Sequence, residues 1–172
     1  MNETRRRIRT HIDDNPGVHF KGLVRELEMA SGQVQHHVYR LIREDDVVEE
    51  SLYGRSHYYS PDYDEWERGA LALLRRETAR NVLVELLEDD GRAPADLADA
   101  VGVARSTLEW HLDHLVEQSV VEKRRDDAGR VTVHLTDPED TALLLAEITP
   151  SYSDRFVDRF MRLVDQLLED AA

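Results

Sequence analysis

The chain has no cysteine among its 172 residues, which excludes disulfides, thiolate zinc sites, thiol redox sensing and cysteine nucleophiles together. Lysine is almost missing: Lys21 and Lys123 stand against 20 arginines. Aromatic residues are scarce, at 6%. No apolar run approaches the roughly 20 residues that span a bilayer, and the opening Met1-Asn2-Glu3-Thr4-Arg5-Arg6-Arg7 leads into a polar helix, not an apolar signal segment. A Gly-rich phosphate loop, G-x-S-x-G and H-E-x-x-H are all lacking. The expectation is a soluble cytoplasmic protein that is not an enzyme, needs no cofactor and contacts no membrane. Nothing in the sequence speaks for or against a small-molecule effector.

What the chain has in excess is acid. Its 36 Asp and Glu against 22 Lys and Arg give a formal charge of −14. The carboxylates are scattered among periodic apolar positions and do not form a disordered tail. Dispersed acid with so little lysine resembles the composition of salt-in halophiles, whose carboxylates keep surfaces hydrated in molar KCl. In such brine the Debye length is about 3 Å or less, so an acidic total excludes no polyanionic partner. The distribution is also uneven: residues 1–60 carry a net −1, residues 61–136 a net −7 and residues 137–172 a net −6. If one half meets a polyanion, the first is the better fit.

An ungapped internal repeat runs from Leu23–Ile42 onto Leu97–Val116. Leu23/Leu97, Leu27/Val101, Met29/Val103, Val34/Leu108, Val38/Leu112, Leu41/Leu115 and Ile42/Val116 pair apolar with apolar, and Ala30/Ala104 and His37/His111 are identities. One inserted residue later, Val47-Val48-Glu49 matches Val120-Val121-Glu122. Two copies indicate a tandem duplication, not a solenoid.

Each copy predicts the same order. A first helix (3–13; 71–88 in the second copy) ends at Asp13-Asp14-Asn15-Pro16-Gly17 or Asp89-Asp90-Gly91. A short second helix (20–28; 94–101, with Pro94 in the first turn) precedes a third (31–44; 105–118). In the third, Val34, Val38, Leu41 and Leu108, Leu112, Leu115 share one face at i, i+4, i+7. The period then switches to alternation, as in Val131-Thr132-Val133-His134-Leu135, and the first hairpin spans 47–59 with its turn at Tyr53-Gly54-Arg55. Helix–helix–turn–helix–hairpin is the order of a winged helix. The fold class expected is mainly α with small β hairpins (α+β): two tandem winged helix-turn-helix domains plus C-terminal helices. The expected domains are 1–62, then 63–138 with a linker helix over 65–88 interrupted near Arg75-Arg76-Glu77, then a helical segment over 139–172.

The resemblance is specific at two places. Asn15-Pro16-Gly17-Val18-His19-Phe20 with Gly32-Gln33-Val34-Gln35-His36-His37-Val38 resembles archaeal winged-helix regulators. Ala104-Arg105-Ser106-Thr107-Leu108-Glu109-Trp110-His111-Leu112 with Leu135-Thr136-Asp137-Pro138 is similar to haloarchaeal members of the broad ArsR/MarR-like group. The likeness covers residues 5–60 and 71–138. It implies a tandem winged helix-turn-helix transcriptional regulator acting on double-stranded DNA.

In such a fold the third helix enters the major groove, N-terminal residues nearest the bases. With Val34, Val38 and Leu41 inward, Ser31, Gly32, His36, Tyr39, Arg40 and Arg43 lie outward, flanked by Gln33 and Gln35. Glutamine pairs bidentately with adenine, arginine with guanine or phosphate; the plain alternative is a solvated helix face. The second copy presents Ser106, Trp110, Asp113, His114 and Glu117 instead, so only Arg105, Ser106 and Thr107 at its N-terminal end are phosphate donors. That copy reads equally as a weaker DNA binder or a partner-binding module. At the first wing, Tyr53, Arg55, Ser56 and His57 are candidates; at the second, Arg124, Arg125 and Arg130 with Lys123, unless Asp126 and Asp127 neutralise them. The run Arg5-Arg6-Arg7-x-Arg9 reads as a solvated face or a grip on the backbone.

His111 and His114 flank different faces, and adjacent His36-His37 cannot share an ion, so no metal site is expected. In the last helix (151–169) Phe156, Phe160, Leu163, Val164 and Leu167 form an apolar stripe, read as pairing a homodimer or as packing on its own domain. The rival to DNA reading is a winged-helix protein–protein interaction module of the transcription or chromosome machinery, suggested by the acidic second copy and Trp110.

Overall fold

The computed structural model describes residues 2–149 and 154–171, in two compact units that meet in sequence between residues 72 and 73. In the first, Asn2 accepts a hydrogen bond from the Arg5 N–H and starts α1 (Glu3–Asp14), and the Asn15 N–H and side-chain amide close it on the His11 carbonyl. A two-residue strand β1 (Val18–His19) leads directly into α2 (Phe20–Leu27), capped by the His19 ring on the Gly22 N–H at 3.1 Å. A left-handed residue at Glu28 then turns the chain into α3 (Ser31–Arg43). β2 (Val48–Leu52) and β3 (Arg55–Tyr59) form the wing, joined by Tyr53-Gly54, both at positive φ as a two-residue hairpin requires. Ile8 and Ile12 of α1, Leu23 of α2 and Val34, Val38 and Leu41 of α3 close over Val18, Val47 and Tyr58 in one core.

The three strands order as β1-β3-β2, all antiparallel, with Val18 opposite Tyr58 and His19 opposite His57. The sequence predicts only a hairpin here; two residues are too few to show alternation. α4 (Glu65–Leu74) follows, opened by a reciprocal capping box in which the Asp64 carboxylate accepts from the Glu67 N–H and Glu67 from the Asp64 N–H.

The second unit repeats the plan: α5 (Glu77–Glu88), α6 (Pro94–Val101), α7 (Arg105–Glu117), then the hairpin β4 (Val121–Arg125) and β5 (Val131–Leu135). Leu83, Leu86, Leu97, Leu108, Leu112 and Leu115 are fully buried. A single bridge, Arg92 to Val133, stands where β1 meets β3 in the first unit. The duplication extends to backbone shape. Gly17/Gly91, Glu28/Gly102 and Asp45/Ser119 match under the same offset as the apolar repeat, and all six have positive φ. Both units are winged helix-turn-helix domains, and the chain is α+β with small antiparallel sheets.

α8 (Pro138–Ile148), capped by Asp137, and α9 (Asp154–Asp170) both pack on α5. Of the two readings of the tail stripe, pairing a homodimer or packing on its own domain, the burial here fits the second. Phe160 and Leu163, read as a subunit-pairing stripe, are buried in the single chain at 2% and 3% exposure, because α9 lies along α5 and is clamped by Arg159 to Glu88 at 3.0 Å and to Glu85. Val164 is half-buried and Leu167 exposed; the side chain of Phe156 lies outside the described residues. The two compact units divide inside α4, and α8 and α9 fall in the second.

Candidate nucleic-acid interface

α3 has three faces. Val34, Val38 and Leu41 enter the core with His37 beside them. Ser31, Gln35, Tyr39 and Ile42 face a cleft of about 670 Å³ whose opposite wall is the wing at Gly54, Arg55 and Ser56. The remaining positions, Gly32, Gln33, His36, Arg40 and Arg43, are exposed and follow one another at helical spacing as an outer ridge. No side chain caps α3, whose N-cap is Ala30, and a Cβ on Gly32 would meet nothing within 4 Å. The first turn of this helix therefore has no side-chain cap, and its positive dipole end is open, although the Gln33 N–H donates to the Ala30 carbonyl at 3.0 Å.

The charges around this face differ from those elsewhere in the first unit. Arg5 is paired with Glu44 at 3.2 Å, Arg9 with Asp46 at 2.7 Å, Arg6 with Glu3 and Arg68 with Glu50. The N-terminal arginine run thus ties α1 to the end of α3, and Arg7 alone of that run forms no ion pair among the described residues. Lys21, Arg40, Arg43 and Arg55 likewise form no ion pair among the described residues. Arg43 stands over the Tyr39 ring at 5.8 Å, and Tyr39 is 59% exposed. Four cations thus surround the cleft and its ridge without local neutralisation. The one carboxylate lining the cleft, Glu49, accepts a hydrogen bond from the Tyr58 hydroxyl. Burial, reinforced by Glu49, pushes the Tyr58 phenol well above its ordinary value, so it remains a donor.

Two expectations change here. His57 is not at the wing tip: it is 1% exposed, and its Nδ1–H donates to the Gly17 carbonyl at 2.7 Å. The cause is β1, which makes β3 the central strand and turns His57 inward beside His19. Lys21 enters the set unforeseen, because α2 begins directly from β1 and sets its first turn against the cleft. The other first-unit candidates, Ser31, Gly32, Gln33, Gln35, His36, Tyr39, Arg40, Arg43 and Arg55, are all exposed. His37 is buried, and desolvation, with His36 and the Arg5 and Arg40 guanidinium groups nearby, lowers its pKa.

α7 offers different chemistry at the matching positions. Gln35, Tyr39 and Arg43 are replaced by Glu109, Asp113 and Glu117. Arg105, Ser106 and Thr107 are exposed, but Arg105 is held by Glu109 at 3.1 Å, and Lys123 holds the same carboxylate at 2.8 Å. The Lys123 hydrogen bond, then that of Arg105, keeps Glu109 ionised below the usual glutamate range against its partial desolvation. In the wing, Arg124 pairs with Glu122, Arg130 with Asp126, and Arg125 donates to the Gly129 carbonyl. Trp110, 42% exposed, stacks edgewise on His111 and His114 under the Arg76 guanidinium at 5.0 Å. His111 is buried, and desolvation lowers its pKa as at His37.

Two family models agree with the fold. A family model described as an N-terminal HTH domain matches residues 2–71, and one described as a helix-turn-helix domain matches residues 73–124. The chain is 26% identical over 141 residues, 80% of its own length, to an uncharacterized HTH-type transcriptional regulator of Methanocaldococcus jannaschii. It spans 34% of that relative. Among solved structures it is similar to the crystal structure of overoxidized AbfR bound to DNA, at TM-score 0.42 and 14% identity, over 86% of this chain and 98% of that one.

Proposed function

We propose that the protein is a DNA-binding transcription regulator whose first unit presents α3 and the β2–β3 wing to duplex DNA. The observation that carries this reading is a set of cations with no ion pair among the described residues, Lys21 and Arg55 on the α3–wing cleft and Arg40 and Arg43 on the α3 ridge, in a chain that elsewhere pairs many of its arginines with carboxylates. Arginines free of a carboxylate replace the counterions of phosphates; those already paired must first break an ion pair. Two helix-turn-helix family matches and a relative named as a transcriptional regulator support it.

The finer parts of the reading follow. Arg105, Ser106 and Thr107, with Arg124, Arg125 and Arg130, serve as secondary backbone contacts, weakened by their carboxylate partners. The acid-rich, lysine-poor remainder suits concentrated salt, as in haloarchaeal regulators of the ArsR/MarR-like group acting in the cytoplasm. A homodimer places two α3 helices on symmetric half-sites.

The test is fluorescence anisotropy on duplex DNA across a KCl series. Replacing Arg40 and Arg43 together by alanine lowers the slope of log K against log salt by about 1.8, from two lost phosphate contacts at about 0.9 each. The Arg124→Ala/Arg130→Ala pair changes it less. Equal effects from both pairs, or none from the first, refute the assignment.

A second reading is favoured by Trp110 and the carboxylates of α7: the second unit docks a protein. A stoichiometric partner retained by the wild type, lost on Trp110→Ala and accompanied by no duplex binding at any salt would replace the first reading.

A further inference from the structure

From the sequence alone, Gln33 and Gln35 are equivalent amides flanking the recognition helix. The structure separates them. Gln35 lines the cleft toward the wing with Ser31 and Tyr39, whereas Gln33 stands outside it on the ridge, in the first turn of α3. We infer that Gln33 is a specificity-determining residue that reads an adenine through the major groove. This rests on the DNA-reading assignment above.

Three observations carry the step. First, the residue before it is Gly32, exposed with open space where a Cβ would be, so the helix end can approach base edges without a side chain in between. Second, Gln33 makes no side-chain hydrogen bond among the described residues, so its carboxamide is free to offer one donor and one acceptor side by side. That pairing matches the N7 acceptor and N6 donor of adenine and no other base in the major groove. Third, the competing chemistries are displaced. The ridge carries no carboxylate to accept from cytosine, and the backbone of its nearest arginine, Arg40, lies about 10 Å farther along the axis at 1.5 Å per residue. Gln33 is thus the one ridge side chain in the first turn of α3 that can read a base edge, while Arg40 and Arg43 follow farther along the helix.

The experiment is selection of bound duplexes from a randomised library by the full chain, followed by affinity measurement on the selected site. The wild type enriches adenine at one fixed position of each half-site. Gln33→Ala flattens that position, leaves the others, and weakens the wild-type site by roughly 5- to 150-fold, the range for one bidentate base contact. Gln33→Arg shifts the same position to guanine, a gain that no folding defect imitates. A defined motif whose every position survives Gln33→Ala, or duplex binding without any motif, overturns this inference while leaving the DNA-binding assignment standing. Failure of the wild type to retain any duplex overturns that assignment, and this inference with it.

Discussion

The duplication supplies its own control for a stability prediction. Glu28 and Gly102 occupy the same left-handed turn between the second and third helices, at φ 52° and 79°. A non-glycine residue pays roughly 1–2 kcal/mol in this region. Glycine gives back about 0.4–1 kcal/mol through the greater freedom of its unfolded chain. The net gain expected from Glu28→Gly is about 0.5–1 kcal/mol, and the Glu28 side chain, exposed and without an ion pair among the described residues, adds little to lose. The converse, Gly102→Ala, costs about 1 kcal/mol from the backbone alone, since a Cβ there meets nothing within 4 Å. For a unit of this size about 1 kcal/mol moves the melting temperature by roughly 4–8 °C. Scanning calorimetry of the full chain at constant KCl reads both variants. A Glu28→Gly protein that melts at or below the wild type refutes the reasoning, because no other interaction is removed.

Gly91 and Gly17 form a second matched pair. An added Cβ at Gly91 meets His134 Cε1 at 2.7 Å, a ring held by Asp90 and Thr132, whereas at Gly17 the nearest atoms are at 3.4 Å. Gly91→Ala should cost about 2–3 kcal/mol and Gly17→Ala nearer 1, measured by chemical unfolding. Glu85 is partly desolvated, which alone would raise its pKa, but hydrogen bonds from Arg159 and Arg92 outweigh this and hold it below the ordinary value. Its stabilisation is present above the unfolded glutamate pKa and lost as pH falls through the depressed folded one; amide exchange over α9 should rise in that acid window and lose the pH step in Glu85→Gln. His37 and His111, buried and neutral, must charge on unfolding, so stability declines as pH drops below the free-histidine value of about 6.5 toward their lowered folded values. A His37→Gln/His111→Gln double variant should flatten that decline in acid titrations of unfolding.

The duplication, the helices and both hairpins were legible because apolar spacing encodes them: Val34/Leu108, Val38/Leu112 and Leu41/Leu115 say which face goes inward, and the His37/His111 identity marks two like niches. What did not show were features that depend on a second element. β1 is two residues long, yet it decides that β3 is central and that His57 turns inward. The left-handed turn carries Glu28 in one copy, so its backbone signature is readable only where Gly102 occupies it. The apolar stripe of the last helix was visible, but whether Phe160 and Leu163 meet α5 or another molecule depends on where α9 comes to rest. Likewise a count of arginines could not reveal that Lys123 reaches across from β4 to Glu109 on α7, while Arg40 and Arg55 form no ion pair among the described residues.

The muzzling of the second wing has an evolutionary corollary. Arg124 is restrained by Glu122 and Arg130 by Asp126, partners only two and four residues away on the same hairpin. Restraint of so local a kind is erased by one codon change apiece, with no rearrangement of the scaffold. If the second wing touches DNA as proposed above, losing Glu122 and Asp126 would free two guanidinium groups without any change in the hairpin.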